Sequence, residues 1–211
     1  MFRPNHLLAS LGSAFALVGS LVATGCSDDP VATPRVTFDS DIKGGTHASA
    51  DCGQSGAFLT MGSFGTPGIY KVQGDPASGL MDPVRPVENG AAEQQGTVDM
   101  SCSVTASGDG FNVAAQATLT GATGGSVTIT GYFPRAIVGN PVDIPGITMS
   151  LTRKGETFAE KNCIARFDTV VGHAIEAGRV WGTIDCANAE RPSAQKVCAT
   201  HAQFRLENCA Q

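Results

Sequence analysis

Hydrophobic and polar residues alternate through the middle of the chain with a period of two, which is typical of strands that bury one face. Apolar side chains fill every second position over Val98–Val104, Phe111–Leu119 and Val127–Gly131, and polar or small residues stand between them. Turn-forming residues separate these segments at 107–110 and 121–125. The pattern predicts three antiparallel strands joined as a meander.

Further β-prone segments surround this meander. They lie at Val36–Phe38, Ala57–Met61, Ile147–Leu151, Cys163–Phe167, Val180–Cys186 and Phe204–Leu206. Roughly seven to nine short strands divided by turns favour a mainly β fold, an antiparallel β-sandwich, with a jelly-roll-like arrangement as one form of it. Two short helices are expected, at Val170–Ala177 and at Ala187–Val197, where Pro192 limits the second to about one turn.

Residues 62–96 interrupt the alternation. Pro67, Pro76, Pro83 and Pro86 occur there among Gly, Asp and Asn residues. Because proline cannot donate a backbone hydrogen bond to a strand ladder, we expect a long irregular arm with one brief strand at Ile69–Val72. Loops of this length often carry binding specificity.

The amino-terminal segment has a different pattern. Arg3 precedes residues 7–24, which carry no charge and end in small residues directly before Cys26. A positive start, an apolar centre and a small-residue exit are typical of an export signal. The alternative is an uncleaved membrane anchor, because the segment approaches the roughly 20 apolar residues that span a bilayer. That alternative leaves Cys26 without a role.

The exit of this segment reads Val22-Ala23-Thr24-Gly25-Cys26 and resembles the lipobox of bacterial lipoproteins. The resemblance implies cleavage between Gly25 and Cys26, with fatty acyl chains such as palmitate attached to Cys26. Each buried methylene contributes about 0.8 kcal/mol, and more than one chain gives stable anchoring. The implied partner is therefore a membrane, held through the lipid on Cys26.

The resemblance also sets the expected organisation of the chain. It implies a signal peptide at 1–25, a lipidated cysteine with a flexible tether at 26–35, and one β-rich domain at 36–211. A domain of this size is large enough for a genuine core. Ser27, directly after the cysteine, favours the outer membrane over the inner membrane in the Gram-negative members of this class.

Cysteine usage agrees with export. Setting Cys26 aside leaves an even number of cysteines, namely Cys52, Cys102, Cys163, Cys186, Cys198 and Cys209. An even set in an exported chain predicts three disulfides. Fifteen pairings of six cysteines exist, and sequence proximity favours Cys198 with Cys209 and Cys163 with Cys186, leaving Cys52 with Cys102. The spacing fits no zinc motif, so neither a metal nor a cofactor is expected.

The carboxy-terminal third contains a glycine-rich β-prone segment, Gly178–Cys186, followed by Cys198 and by the closing segment Phe204–Cys209. These segments resemble those of a set of uncharacterised lipoproteins from myxobacteria and related groups. Those proteins share a glycine-rich strand that ends in cysteine and a closing aromatic strand that also ends in cysteine. The similarity extends over residues 97–211, and it implies an envelope location and a β fold without implying an activity.

Charge argues against a nucleic-acid partner. The formal charge is −5, and the basic residues are scattered, with Arg153-Lys154 as the only adjacent pair. Phosphate neutralisation needs clustered Lys and Arg side chains. A mildly acidic surface is more simply a solubility feature.

Catalytic motifs are absent from the sequence, so we do not expect an enzyme. His47, Ser49 and Asp51 have the residue types of a hydrolytic triad, but neighbours in sequence rarely converge in space. An envelope hydrolase therefore stays an alternative, and it requires His47, His173 or His201 to meet a hydroxyl and a carboxylate in one cleft.

Two pairs of residues have the chemistry of metal ligands. His173 and Glu176 would share one face of a helix. Asp39 and Asp41 bring together carboxylates of the kind that calcium prefers, without the closing Glu of a calcium loop. The simpler interpretation of both pairs is a solvated polar surface.

Trp181 is the one candidate for ligand binding. If Val180 and Ile184 face the core, Trp181 points to the opposite side of its strand. An exposed ring there would be a stacking platform for a sugar or a partner, whereas a covered ring would belong to the core. The sequence thus predicts a non-catalytic envelope lipoprotein that is a binding or structural module, with a glycan- or peptide-binding surface module as the sharper alternative.

Overall fold

The computed structural model describes residues 32–43, 52, 57–64, 84–94, 96–122, 124–136, 141–169 and 172–211. Twelve strands occur in these residues, together with a short 3-10 turn at Pro192–Ala194. The strands are β1 Arg35–Lys43, β2 Leu59–Met61, β3 Val87–Glu88, β4 Ala92–Glu93, β5 Gly96–Ser107, β6 Gly110–Leu119, β7 Gly125–Pro134, β8 Val142–Arg153, β9 Glu156–Phe167, β10 Ala174–Glu176, β11 Arg179–Arg191 and β12 Lys196–Glu207. Within the described ranges, no helix has the length and apolar character needed to cross a bilayer.

The strands form one continuous sheet in the order β2-β1-β12-β11-β9-β8-β7-β6-β5-β4, with β10 on β11 and β3 on β1. All of these pairings are antiparallel. The sheet curls onto itself. Strands β7 and β12 are four strands apart in the sheet, yet Phe133 of β7 packs against Phe204 of β12 with ring centroids 6.3 Å apart. The predicted mainly antiparallel β class is confirmed.

The two ends of the sheet approach each other and leave little free edge. The backbone of β5 exchanges hydrogen bonds with Ala210, beyond the end of β12, and Asn89 before β4 accepts one from Met100 N–H at 2.8 Å. Exposed strand edges invite pairing with other chains, and these contacts satisfy the backbone groups that would do so.

The core lies inside the curl and follows the predicted alternation. Val98, Val104, Val113 and Ile129 are each at most 3% exposed, and their neighbours along the strands face outward. Two-residue hairpin loops connect some of the neighbouring strands and fix their register, so that the inward side chains of both strands lie on the same face of the sheet. The loop Lys154-Gly155 has positive φ at both positions, which matches the twist of the flanking strands.

Three disulfides join the six predicted cysteines. The prediction of Cys163 with Cys186 is confirmed, because β9 and β11 are adjacent in the sheet and these residues share its inner face. The other two predicted pairs are wrong, since the bonds are Cys52–Cys198 and Cys102–Cys209. Cys198 lies near the start of strand β12, and Cys209 lies two residues beyond its end. Because an extended strand rises about 3.3 Å per residue, the two cysteines are separated by far more than the roughly 7 Å between Cα atoms that a disulfide can span.

Both predicted helices are wrong. The segment 170–177 contains β10, and 187–197 contains the end of β11, the 3-10 turn and the start of β12. A bulge at Ala187-Asn188 shifts the register, after which β11 pairs with β12 again at Ala189. Antiparallel pairing between the end of β11 and the start of β12 therefore overrides the helical preference of the alanines.

The predicted irregular arm at 62–96 is partly described. It contains β3 and β4, and Ser63 pairs with Arg85, so part of the arm lies on the sheet. Residues 65–83, including the strand predicted at Ile69–Val72, lie outside the described residues. The predicted signal, Gly25, Cys26 and most of the tether also lie outside them.

Candidate functional site

Charged side chains gather on the outside of the sheet where four neighbouring strands present their outward positions. We call this surface the charged face, and it comprises the outward side chains of Arg35–Lys43, Ala199–Glu207, Arg179–Asp185 and Ile164–Arg166. Their inward neighbours belong to the core, so the alternation that buries one set exposes the other.

A row of functional side chains crosses this face from β1 to β9. The register aligns Asp41 with His201, His201 with Asp185, and Asp185 with Ile164. Directly opposed side chains on neighbouring strands stand about 5 Å apart at Cβ. A histidine is thus flanked by two carboxylates, with an apolar side chain at the end of the row.

The charges in this row are paired. His201 Nδ1 lies 2.7 Å from Asp185 Oδ1, and both side chains are half-exposed. Lys43 Nζ lies 2.8 Å from Asp41 Oδ2, and the hydrogen bond and charge of that carboxylate raise the pKa of Lys43. Exposed pairs of this kind contribute at most about 1 kcal/mol each. Their role is to order a polar rim more than to stabilise the fold.

A groove of about 380 Å³ runs beside this row, with Asn162, Ile164, Asp185 and His201 in its walls. Ile164 is 43% exposed, and it is one of the two large hydrophobic side chains that stand exposed in the described part of the chain. The volume of the groove is within the usual range of ligand pockets, about 300–1,000 Å³. The groove combines an apolar centre with a charged rim.

Trp181 lies further along the same face and is covered. Its side is the one predicted, opposite buried Val180, but the residue is only 7% exposed. The ring packs against His173, with centroids 5.8 Å apart, and beneath the guanidinium of Arg205 at 4.9 Å. The ring of Trp181 therefore has no open face on which a sugar could stack, and its surroundings match the alternative in which the ring is covered.

Buried charges surround this ring. Arg205 Nη2 donates to Glu207 Oε1 at 2.7 Å, and Arg35 lies 3.5 Å from the other carboxylate oxygen. Arg205 and Glu207 are each at most 7% exposed. A cavity of about 310 Å³ lies here, with Arg35, Arg179 and Trp181 in its walls. Because Glu207 already pairs with two arginines, this cluster is mainly structural.

His173 supports Trp181 and does not bind a metal with Glu176. The backbone N–H of Asp168 donates to His173 Nδ1 at 3.1 Å, and burial lowers the pKa of the imidazole. Glu176 points to solvent and pairs with Arg179 at 2.9 Å. His173 directly precedes strand β10, and Glu176 is the last residue of that strand, so the predicted shared helical face does not exist.

The calcium alternative at Asp39 and Asp41 also fails on geometry. Both residues lie in strand β1, where Asp39 accepts a hydrogen bond from Thr60 at 3.1 Å and Asp41 pairs with Lys43. Ser40 faces inward and donates to Leu59 O. Calcium sites take ligands from a loop that wraps the ion, and an extended strand does not supply that arrangement.

A second group with ligand chemistry comprises Glu160, Cys163 and Cys186. The two sulfurs are joined to each other in a disulfide. Metal binding requires the thiolate form, so these cysteines do not serve as ligands while oxidised.

The described residues give the hydrolase alternative a partial arrangement, at His201. His47, Ser49 and Asp51 lie outside the described part of the chain. His201 and Asp185 form the histidine–carboxylate half of a triad, but among the described residues no hydroxyl or thiol is hydrogen-bonded to His201. The absence of an enzymatic function stays a prediction.

No family model, curated protein or solved structure matches this chain. The role of the charged face is therefore argued from its own chemistry. Sequence reasoning missed Ile164 and Asp185 because each lies in an ordinary alternating strand. Alternation along each strand predicts that both side chains face outward. Their proximity to His201, however, depends on which strands are neighbours in the sheet.

Proposed function

We propose that this chain is a bacterial envelope lipoprotein, an exported and non-catalytic domain that is lipid-anchored and binds a partner at a membrane surface. The observation that carries the proposal is cysteine usage, because every cysteine after Cys26 forms a disulfide. Disulfides form and persist in oxidising compartments such as the periplasm. The six paired cysteines leave only the lipobox-like Cys26 for the lipid.

The short distance along the sequence from Cys26 to β1 supports an anchored domain. Strand β1 begins at Arg35, and the intervening segment contains Pro30 and Pro34. An extended chain covers about 3.3–3.6 Å per residue, so this tether reaches at most about 30 Å. An anchor at Cys26 would keep the domain close to the bilayer, and Ser27 favours the outer membrane.

The groove beside Ile164 is the surface that we assign to partner binding. Protein interfaces commonly place an apolar side chain in a central pocket and surround it with a polar rim. Ile164 supplies the apolar centre, and Asp41, Asp185 and His201 supply the rim. A protein or peptide partner of the envelope matches this combination.

The anchoring proposal is tested with Cys26→Ala in intact cells. We expect the variant to keep its signal and to lose acylation, whereas Val31→Ala in the tether should mature like the parent. Intact mass and fractionation between membrane and soluble compartments report both properties. A Cys26→Ala protein that is trimmed and membrane-bound like the parent would refute the anchor.

The partner proposal is tested by placing a photo-cross-linking amino acid at position 164 or, as a matched control, at Thr97. Both positions are exposed on the outer side of the sheet, and their strands, β9 and β5, are four strands apart. We expect an envelope protein to be cross-linked only from position 164, and Asp185→Lys should reduce its yield. Identical products from both positions would contradict the assignment of the groove.

A further inference from the structure

A second outer surface differs from the charged face in having no charge. We call it the hydroxyl face, and it comprises the outward side chains of Ser101–Thr105, Asn112–Thr118, Ser126–Tyr132 and Thr148–Thr152. These four segments contain no Asp, Glu, Lys, Arg or His. Their inward residues, such as Val113, fill the core.

The strand register orders the polar groups of this face into rows. Ser101 is aligned with Gln116, Gln116 with Thr128, and Thr128 with Ser150. Neighbouring strands lie about 4.8 Å apart, so hydroxyl and amide groups recur at that interval across the sheet. Each of these side chains both donates and accepts hydrogen bonds.

A groove crosses these rows where the side chains are short. It has a volume of about 410 Å³, and Ser101, Ser103, Gln116, Thr128 and Thr130 line it together with Ala114. Ala114 is exposed and aligned between Ser103 and Thr130, so its methyl group leaves a depression between longer neighbours.

Tyr132 lies on the hydroxyl face beyond the end of this groove, and its ring is exposed. It is 41% exposed and follows Thr130 on the same face, directly opposite Asn112. Its hydroxyl donates a hydrogen bond to the Asp109 carboxylate. The phenol end of the ring lies against Gly110, where a Cβ would come within 2.7 Å of the tyrosine oxygen. The ring is therefore held in place before any ligand arrives.

We propose that the hydroxyl face binds a neutral glycan, with Tyr132 as the stacking platform. Sugar rings carry an apolar C–H face that packs on an aromatic ring, and their hydroxyls exchange hydrogen bonds with amide and hydroxyl side chains. A charged ligand finds no counter-charge within the four segments. An apolar peptide finds one exposed ring among hydroxyls, which leaves most of its surface unmatched.

This inference goes beyond the proposed function, and it depends neither on the lipid anchor nor on the groove beside Ile164. The hydroxyl face is separate from that groove, so the two binding proposals stand or fall independently. Glycan binding is measured with the purified full chain under the same conditions for every variant, so the state of Cys26 is common to all measurements.

The test uses titration calorimetry with four neutral hexasaccharides, namely cellohexaose, maltohexaose, xylohexaose and chitohexaose. The charged counterpart is hexagalacturonate. We expect binding of at least one neutral probe, with hexagalacturonate at least about tenfold weaker. Tyr132→Ala should weaken binding by at least about tenfold, and Tyr132→Phe, which keeps the ring, by about threefold or less.

Two further variants separate the groove from folding. Ala114→Arg fills the depression from an exposed position and should abolish binding, while Glu190→Gln, at an exposed position of β11 outside the hydroxyl face, should leave it unchanged. Circular dichroism and thermal unfolding verify that each variant is folded. Failure of all four neutral probes, or unchanged binding in both Tyr132→Ala and Ala114→Arg, would overturn the proposal.

Discussion

The charged face and the hydroxyl face lie on the outside of the same sheet, yet their side chains differ in burial and in how strongly they bond to one another. On the charged face, Arg205 and Glu207 are buried and bonded to each other, and Trp181 is covered by Arg205. On the hydroxyl face, Gln116 and Ser101 are exposed. The first face therefore contributes to the stability of the fold, whereas the exposed side chains of the second contribute little to it.

This contrast shows that an outward position is not always a solvent-exposed one. The same alternation places Trp181 and Thr128 on the outside of their strands. Trp181 is buried because the Arg205 guanidinium lies over its ring, His173 packs against it and β10 pairs beside it, whereas Tyr132 is 41% exposed. The covering layer decides which outer residues are available for binding.

The largest expected effect comes from breaking the covalent link between the two faces. Cys102 lies in β5 of the hydroxyl face, and Cys209 follows β12 of the charged face. The double variant Cys102→Ala/Cys209→Ala should lower the free energy of unfolding by about 4–5 kcal/mol, because the bond closes a loop of 107 residues.

The matched control for this variant is Cys163→Ala/Cys186→Ala, which opens a loop of 23 residues. Its loss should be smaller by about 1 kcal/mol in the chain-entropy description of disulfides. Chemical denaturation of both proteins measures the difference. An equal or reversed order would show that native-state packing around the disulfides outweighs loop closure.

A smaller effect is expected from Arg205→Ala. The change leaves the Glu207 carboxylate buried with only Arg35 nearby at 3.5 Å, and it uncovers one face of Trp181. Breaking a buried charge pair costs about 3 kcal/mol. Gln116→Ala on the hydroxyl face should change stability by at most about 0.5 kcal/mol.

Urea denaturation followed by Trp181 fluorescence measures both variants, and Arg205→Lys keeps the charge as an intermediate case. If Arg205→Ala were as mild as Gln116→Ala, the distinction between a structural face and a free face would not hold.

The smallest expected effect concerns the bond between Tyr132 and Asp109 at the border of the hydroxyl face. The bond lowers the pKa of Asp109 and raises the pKa of Tyr132. Its contribution is therefore present at neutral pH. It is lost on acidification as pH falls through the lowered pKa of Asp109, and in alkali as pH rises through the raised pKa of Tyr132.

Absorbance titration of the phenol measures this effect. In Asp109→Asn, one tyrosine should ionise at lower pH than in the parent, with little change in stability because both side chains are exposed. Titration curves that superimpose for the two proteins would mean that the bond does not hold the ring.

Sequence reasoning succeeded where structure depends on local periodicity. The phase of Val98–Val104 and of Phe111–Leu119 could be predicted because side chains alternate along any strand. Sequence proximity gave the correct pair Cys163 and Cys186, but the same criterion failed for Cys198 and Cys209, which lie along one extended stretch of chain. The helix predicted at Ala187–Val197 failed because pairing with β12 outweighs the local preference of a few alanines.

The sequence by itself determined which residues alternate toward the core and that an even set of cysteines follows Cys26. It also determined that the four segments of the hydroxyl face contain no charged residue. The tertiary structure alone decided the partners of Cys52 and Cys102, the row from Asp41 to Ile164, and the covering of Trp181. The physical reason is that alternation is a property of each strand. The order of strands instead depends on contacts between residues that are distant along the chain.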